Sequence, residues 1–213
     1  MKRGEQMTRQ ELYKQADGYK AQQVASKWRA RMETKESQTL AYREMYTLAK
    51  EKDLQITEAL LKKFHEFVLE EKGLKEEVGT YRKESIEATR TGHIPPAPEE
   101  LERLIGHFIS QMQISRQMFH PIEFAAICHK RILELCPFKE GNEEVAMLIM
   151  NLILAHHGYA VLPNFEGQEA EYLKTLKAAQ HPSSLDIDGF IYFIAQCVVK
   201  KQEEQEKELK NIN

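Results

Sequence analysis

Between Val145 and Ala155 the chain reads VAMLIMNLILA, and only Asn151 breaks the run with a polar side chain. A helix that is apolar nearly all round has no face to give to water, so it belongs inside a bundle of other helices. Two punctuation marks bound it. Gly158 supplies a stop, because glycine accepts the left-handed conformation in which helices end. Ahead of it, Cys136-Pro137-Phe138 leads into a Lys139-Glu140-Gly141-Asn142 turn. A tight turn that opens directly into a helix brings free backbone N–H groups to one spot, an arrangement suited to an anion.

The rest of the composition is consistent with one sizeable helical core. The chain has 213 residues, of which 42% are apolar, and its few glycines and prolines gather at segment boundaries. Thirty Lys and Arg against 33 Asp and Glu leave a net charge of -3, which argues against a nucleic-acid binder. There is no apolar run of 18 residues, so no membrane span is expected, and the basic N-terminus has no apolar segment after it to make a secretory signal. Three cysteines without metal-site spacing point to reduced thiols and a cytoplasmic address.

In chain order, Thr8-Arg9-Gln10-Glu11 has the capping-box pattern, and Leu12, Ala16, Tyr19, Val24, Trp28 and Met32 follow at helical spacing. A second helix is predicted from about 36 to 50 on Leu40, Ala41, Met45 and Leu48. Residues 1–50 thus read as a helical arm, 51–200 as the main domain, and 201–213 as a solvated, charged tail with a frayed end. Thr57 caps a helix carrying Leu60, Leu61, Phe64, Val68 and Leu69, with His65 beside the stripe, and Gly73 ends it. Residues 73–98 then break the pattern with three glycines and three prolines. A short hairpin over 84–94 is predicted there; it reads either as a surface excursion or as a flap whose free edge pairs with an extended peptide. Pro98-Glu99-Glu100 makes a good first helical turn, Pro121 starts another helix, and further helices are predicted over 169–179 and after Asp186. The fold class expected is all-α, with at most one hairpin.

The segment Cys136-Pro137-Phe138-Lys139-Glu140-Gly141-Asn142 resembles the signature of the Fic family (Fic/Doc, or Fido), H-P-F-x-[D/E]-G-N-G-R-x-x-R. The likeness extends along about residues 57–198. Gly79-Thr80-Tyr81-Arg82 resembles the family's G-x-[YF]-R element, HIPPAPEELERLIGHF resembles the flap exit and next helix, and His129 falls where the family often has a structural histidine. The resemblance implies a Fic-like helical bundle with a short β-hairpin flap. It implies transfer of AMP from ATP, with Mg²⁺, to a hydroxyl on a target protein docked at the flap, here Ile86, Glu87, Ala88, Thr89 and Ile94. It places Cys136 at the general base, Glu140 at the metal, Gly141, Asn142 and Glu143 at the phosphate cradle, and Glu144 and Met147 at the two arginines.

Four of those positions depart from the pattern. Cys136 replaces the base histidine, Glu143 the second glycine, Glu144 the first arginine and Met147 the last. A cysteine takes up a proton only as a thiolate, and its reference pKa is about 8.5. A helix N-terminus lowers a thiol pKa, but the neighbouring Glu140, Glu143 and Glu144 oppose that, so a neutral thiol is expected. Each carboxylate about 4 Å from a phosphate charge costs on the order of 1 kcal/mol in water and about 4 kcal/mol at an effective dielectric of 20. Acids in a first helical turn also simply complement the helix dipole, by roughly 0.3–1 kcal/mol each. Three readings therefore stand side by side: a degenerate scaffold that binds protein, a transferase with an altered donor and Glu143 or Glu144 as base, and a thiol chemistry at Cys136. The family's inhibitory pattern [S/T]-x-x-x-E-[G/N] has no full copy; Thr47 to Lys52 fits its first five positions only.

Overall fold

The computed structural model describes residues 7–22, 39–74, 77–162, 164–181 and 186–210. Among them are eight α-helices: α1 (Arg9–Gln22), α2 (Leu40–Leu48), α3 (Glu58–Glu71), α4 (Leu101–Ser115), α5 (Pro121–Leu135), α6 (Asn142–His156), α7 (Glu169–Gln180) and α8 (Ile187–Lys210). Val24, Trp28 and Met32 of the first predicted helix, the 36–38 start of the second, and the Pro182-Ser183-Ser184 break lie outside the described residues.

The apolar run lies where its composition requires. Nine consecutive-turn residues of α6, among them Val145, Leu148, Ile149 and Leu152, are buried, and the helix packs against α2, α3 and α5. The lone polar residue has a structural reason. Asn151 is fully buried; its Nδ2–H donates to the Leu162 carbonyl at 2.7 Å and its Oδ1 accepts from Leu162 N–H at 2.8 Å. It thereby satisfies the backbone of the chain returning beneath the helix, where water does not reach. Gly158 ends the helix with φ 80°.

The caps form as their residue types dictate. Thr8 and Glu11 exchange bonds at 2.6 and 3.2 Å, Thr57 Oγ1 accepts from Leu60 N–H, and Asp186 accepts from Gly189 N–H. Leu12, Ala16, Ala41 and Met45 from α1 and α2 join the one apolar core.

Three elements differ from the sequence reading. Pro98–Glu100 is a short 3-10 turn, and the α-helix begins at Leu101. Over 200–210 the charge run is helical: α8 continues to Lys210 with α1 packed against it, and 211–213 lie outside the described residues. Gln202 is buried and donates to the Ala16 carbonyl, while Gln15 and Tyr19 both reach Glu203. Finally, no strand forms among the described residues. Over 84–94 the backbone is extended and closed by a turn, with Thr89 N–H donating to His93 O and Gly92 N–H to Thr89 O, both at 2.8 Å. That is one rung, too little for a hairpin ladder.

Candidate functional site

The site is the seam where α5 ends, the Pro137–Gly141 turn crosses, and α6 begins. Cys136 caps α5 in the left-handed conformation, φ 40° and ψ 63°, donating its N–H to Ile132 O at 2.9 Å. That conformation costs a non-glycine residue roughly 1–2 kcal/mol, less for Asn, Asp or His, which visit it more readily. The thiol is not presented to the cleft. Cys136 is 5% exposed and its Sγ–H donates to the Leu133 carbonyl at 3.1 Å. Burial pushes the thiol up to about 11; Arg82 pulls the other way and Glu143 adds slightly. Desolvation is the main cause of this shift, whereas the sequence reading put it on the neighbouring acids.

Arg82 holds this seam together, a role that the G-x-[YF]-R likeness does not itself reveal. The residue is 4% exposed. Its guanidinium donates to the carbonyls of Cys136 at 2.8 Å, Glu84 at 2.9 Å and Pro96 at 2.6 Å, while its own N–H donates to Pro137 O. One side chain thus ties the motif turn to both limbs of the 84–96 excursion. The planar fork of a guanidinium suits this, since several fixed N–H directions meet several fixed carbonyls.

The turn itself is built on Phe138 and Asn142. Phe138 is fully buried and stacks on His65 with centroids 3.8 Å apart. Asn142 closes the turn reciprocally: its Oδ1 accepts from Phe138 N–H at 3.0 Å and its Nδ2–H donates to Phe138 O at 2.7 Å. His65 is a core residue but an incompletely satisfied one. Its Nδ1 accepts from Gly79 N–H, whereas Nε2 is buried without a hydrogen-bond partner, and burial lowers the ring's pKa. Gly141 has φ 77°, and a Cβ there would come within 3.1 Å of Val68 Cγ1, so this position requires glycine twice over. His129 is spent on packing: its Nε2 pairs with the Tyr172 hydroxyl at 2.9 Å within a cage of Phe165, Tyr172 and Phe190.

Gly141 offers no side-chain cap, so the first N–H groups of α6 face outward as a helix start leaves them. What stands around them is acidic. Glu143 pairs with Arg90 from the excursion at 2.9 Å, and Glu144 pairs with Lys72 at the end of α3 at 2.6 Å. Sequence reading missed both cations. Only the fold brings them near, Arg90 from 53 residues before Glu143 and Lys72 from 72 residues before Glu144, although an acidic helix start already called for counter-ions. Glu140 is exposed on the turn, and no group of three His, Cys, Asp or Glu able to hold a metal occurs among the described residues. Met147 is half-buried one turn into α6.

Beside this helix start lies a cavity of about 590 Å³, bounded by α2, α3, α6, the 164–169 loop and α7. Glu143, Glu144 and Met147 all face it. A smaller one, about 240 Å³, lies apart from the seam beside Lys52, Arg116 and His156. Of the expected flap residues, Ile94 is 71% exposed, Glu87 and Ala88 are exposed, and Ile86 and Thr89 are half-buried. The excursion is pinned at its turn, where Thr91 Oγ1 donates to Gln180 Oε1 and His93 Nε2 meets the Glu134 carbonyl.

Residues 55–154, which contain the turn and α6 start, match the family model described as the Fic/DOC family. Among curated proteins the chain is similar to the protein adenylyltransferase Fic of Nematostella vectensis, 38% identical over 124 residues, which is 57% of this chain and 27% of that protein. It is similar also to that of Aedes aegypti, 34% identical over 107 residues, 50% of this chain and 21% of that protein. The match thus spans about a quarter of the length of these curated relatives. Among solved structures, a Fic domain containing signaling protein from Bacteroides thetaiotaomicron superposes with a TM-score of 0.68 at 20% identity, covering 77% of this chain and 67% of that one. IbpAFic2 covalently tethered to Cdc42 superposes with a TM-score of 0.59 at 17% identity, covering 89% and 63%. At these identities the likeness to solved structures establishes the fold.

Proposed function

We propose, from the match of residues 55–154 to the Fic/DOC family model and the likeness to Fic adenylyltransferases, that the chain is a degenerate Fic-domain protein in which AMP transfer from ATP to a target hydroxyl is lost or much weakened. Its remaining task is then to bind another protein through the 84–94 flap and the adjoining cleft. The observation that carries this reading is the charge at the start of α6: Glu143 and Glu144 stand where the helix N-terminus faces the cleft, each already held by its own cation. A triphosphate brought there meets two carboxylates and finds Arg90 and Lys72 engaged. Those exposed ion pairs are worth at most about 1 kcal/mol each, so they set the field of the cleft more than the stability of the fold.

The residues present do not fit ATP and Mg²⁺ well. The helix start keeps its N–H groups, but the bidentate phosphate donors are absent at positions 144 and 147. Glu140 can offer a metal one carboxylate, and a metal there would take its remaining ligands from phosphate and water. No base stands ready either, since the Cys136 thiol is buried and turned back onto α5. Loss of a positioned base removes roughly 10²–10⁴-fold in rate. Homologues dock on protein targets, as the Cdc42 complex illustrates, which supports assigning a protein partner to this chain's flap, where Ile94 stands open.

The test is calorimetric titration with ATP and Mg²⁺ of the natural chain and of the Glu143→Gly, Glu144→Arg double variant. No heat from the natural chain and clear heat from the variant is the expected pair of results. Micromolar binding by the natural chain would sink the reading and move attention to a transferase with an altered base or donor.

A further inference from the structure

The cavity beside α6 is built for a different charge than a triphosphate carries. Its floor is apolar: Val68, Leu148 and Met147 on one side, Phe165 and Tyr172 on the other, the last two stacked with centroids 4.3 Å apart. Among the described residues its rim carries five carboxylates, Glu71, Glu143, Glu144, Glu166 and Glu169, against two cations, Lys72 and Arg90. Both cations are committed to Glu143 and Glu144. Of the other three, Glu71 accepts from Ala41 N–H and Glu169 from Gly167 N–H, bonds that orient a carboxylate without neutralising it.

We propose that this cleft binds a small organic cation, an ammonium or guanidinium head on a short aliphatic stem. Three observations converge on that class. At about 590 Å³ the volume falls in the range of small-molecule sites. The surplus of carboxylates at the rim complements a positive head. The thioether and aromatic floor takes an apolar stem, and aromatic faces tolerate a cation beside them. The head sits at the rim by the carboxylates that Lys72 and Arg90 leave unmatched, the stem runs down against Met147, and no bond is made or broken. The inference rests on the reading that the cleft no longer takes a triphosphate, and the two fail separately. ATP binding would overturn that reading, whereas a cleft indifferent to both ATP and cations overturns only the present proposal.

The probe is n-pentylammonium, one charged head on a five-carbon stem, compared with n-pentanol as an uncharged stem of the same length. At millimolar concentration it is expected to raise the melting temperature of the full chain by a few degrees. The Met147 methyl resonance should move, and the affinity should fall at least tenfold between 50 and 500 mM salt. The Glu143→Gln, Glu144→Gln variant, altered at exposed positions, is expected to fold normally and lose the pentylammonium response. An equal response to n-pentanol, a response unchanged in the variant, or none up to 10 mM would each overturn the proposal.

Discussion

Cys136 carries the sharpest residue-scale consequence. Its left-handed backbone turns the side chain back over the last turn of α5, where the thiol bonds the Leu133 carbonyl and loses water. Because burial raises the thiol to about 11, thiolate chemistry is closed at neutral pH. Alkylation at pH 7.5 is therefore expected to be as slow as at the equally buried Cys128 and Cys197. The rate should keep rising past pH 9 without a plateau. A labelling midpoint below pH 8 would rescue the covalent reading that the sequence left open. Residue-scale legibility was mixed. The turn and its glycine were readable, because each follows from residue type and local backbone. The His65–Phe138 stack and the His129–Tyr172 pair join residues 73 and 43 apart, and nothing in the spacing announces them.

At the scale of elements, the excursion over 84–96 and the motif turn are one mechanical unit because Arg82 bonds both. Removing its fork leaves the buried carbonyl of Cys136 and the part-buried carbonyls of Glu84 and Pro96 without this donor. Each unsatisfied buried group costs about 1–3 kcal/mol, partly recovered by relaxation. Arg82→Met is thus expected to destabilise the protein by about 2–4 kcal/mol in chemical denaturation. It should also speed amide exchange across 84–94 more than in α6. Uniform loss of protection over both would mean that the clamp is general core packing. The same contacts explain why the hairpin predicted from the Gly92 turn is formed only at its turn. Its limbs give the Glu84 and Pro96 carbonyls to Arg82, and the His93 ring meets the Glu134 carbonyl on α5, which leaves one cross-strand rung.

Over the whole molecule, α6 is the axis, and the histidines buried around it set the response to acid. His129 is fully buried and burial lowers its pKa to about 4, against about 6.5 in an unfolded chain. His157 is also lowered to about 4, first by burial and then by His156. In both cases the unfolded chain takes up the proton first. Stability is therefore full above about pH 7 and is lost as pH falls through 6.5 towards 4. For His129 the loss runs at up to about 1.4 kcal/mol per pH unit in that window. The melting temperature is expected to fall between pH 7.5 and 5.5, before most carboxylates titrate. His129→Gln, which keeps a partner for Tyr172 but takes no proton, should flatten part of that slope. A slope unchanged in the variant would assign the acid response elsewhere.

Some of this protein is written in local order along the chain. The buried helix, its glycine stop, the capping residues, the all-α class and the family motif all depend on neighbours within a few positions, where residue type and periodicity decide. The two glutamates in the first turn of α6 were equally legible. Only the tertiary structure decided what surrounds that helix start: Lys72 and Arg90 beside the two glutamates, Arg82 under the turn, α1 packed against the charged end of α8, and the acidic, apolar-floored cavity. Those depend on which distant segments the packing of α5, α6 and α8 brings together. Long-range proximity is fixed by how apolar faces share a core, and a pattern read along one dimension does not carry it.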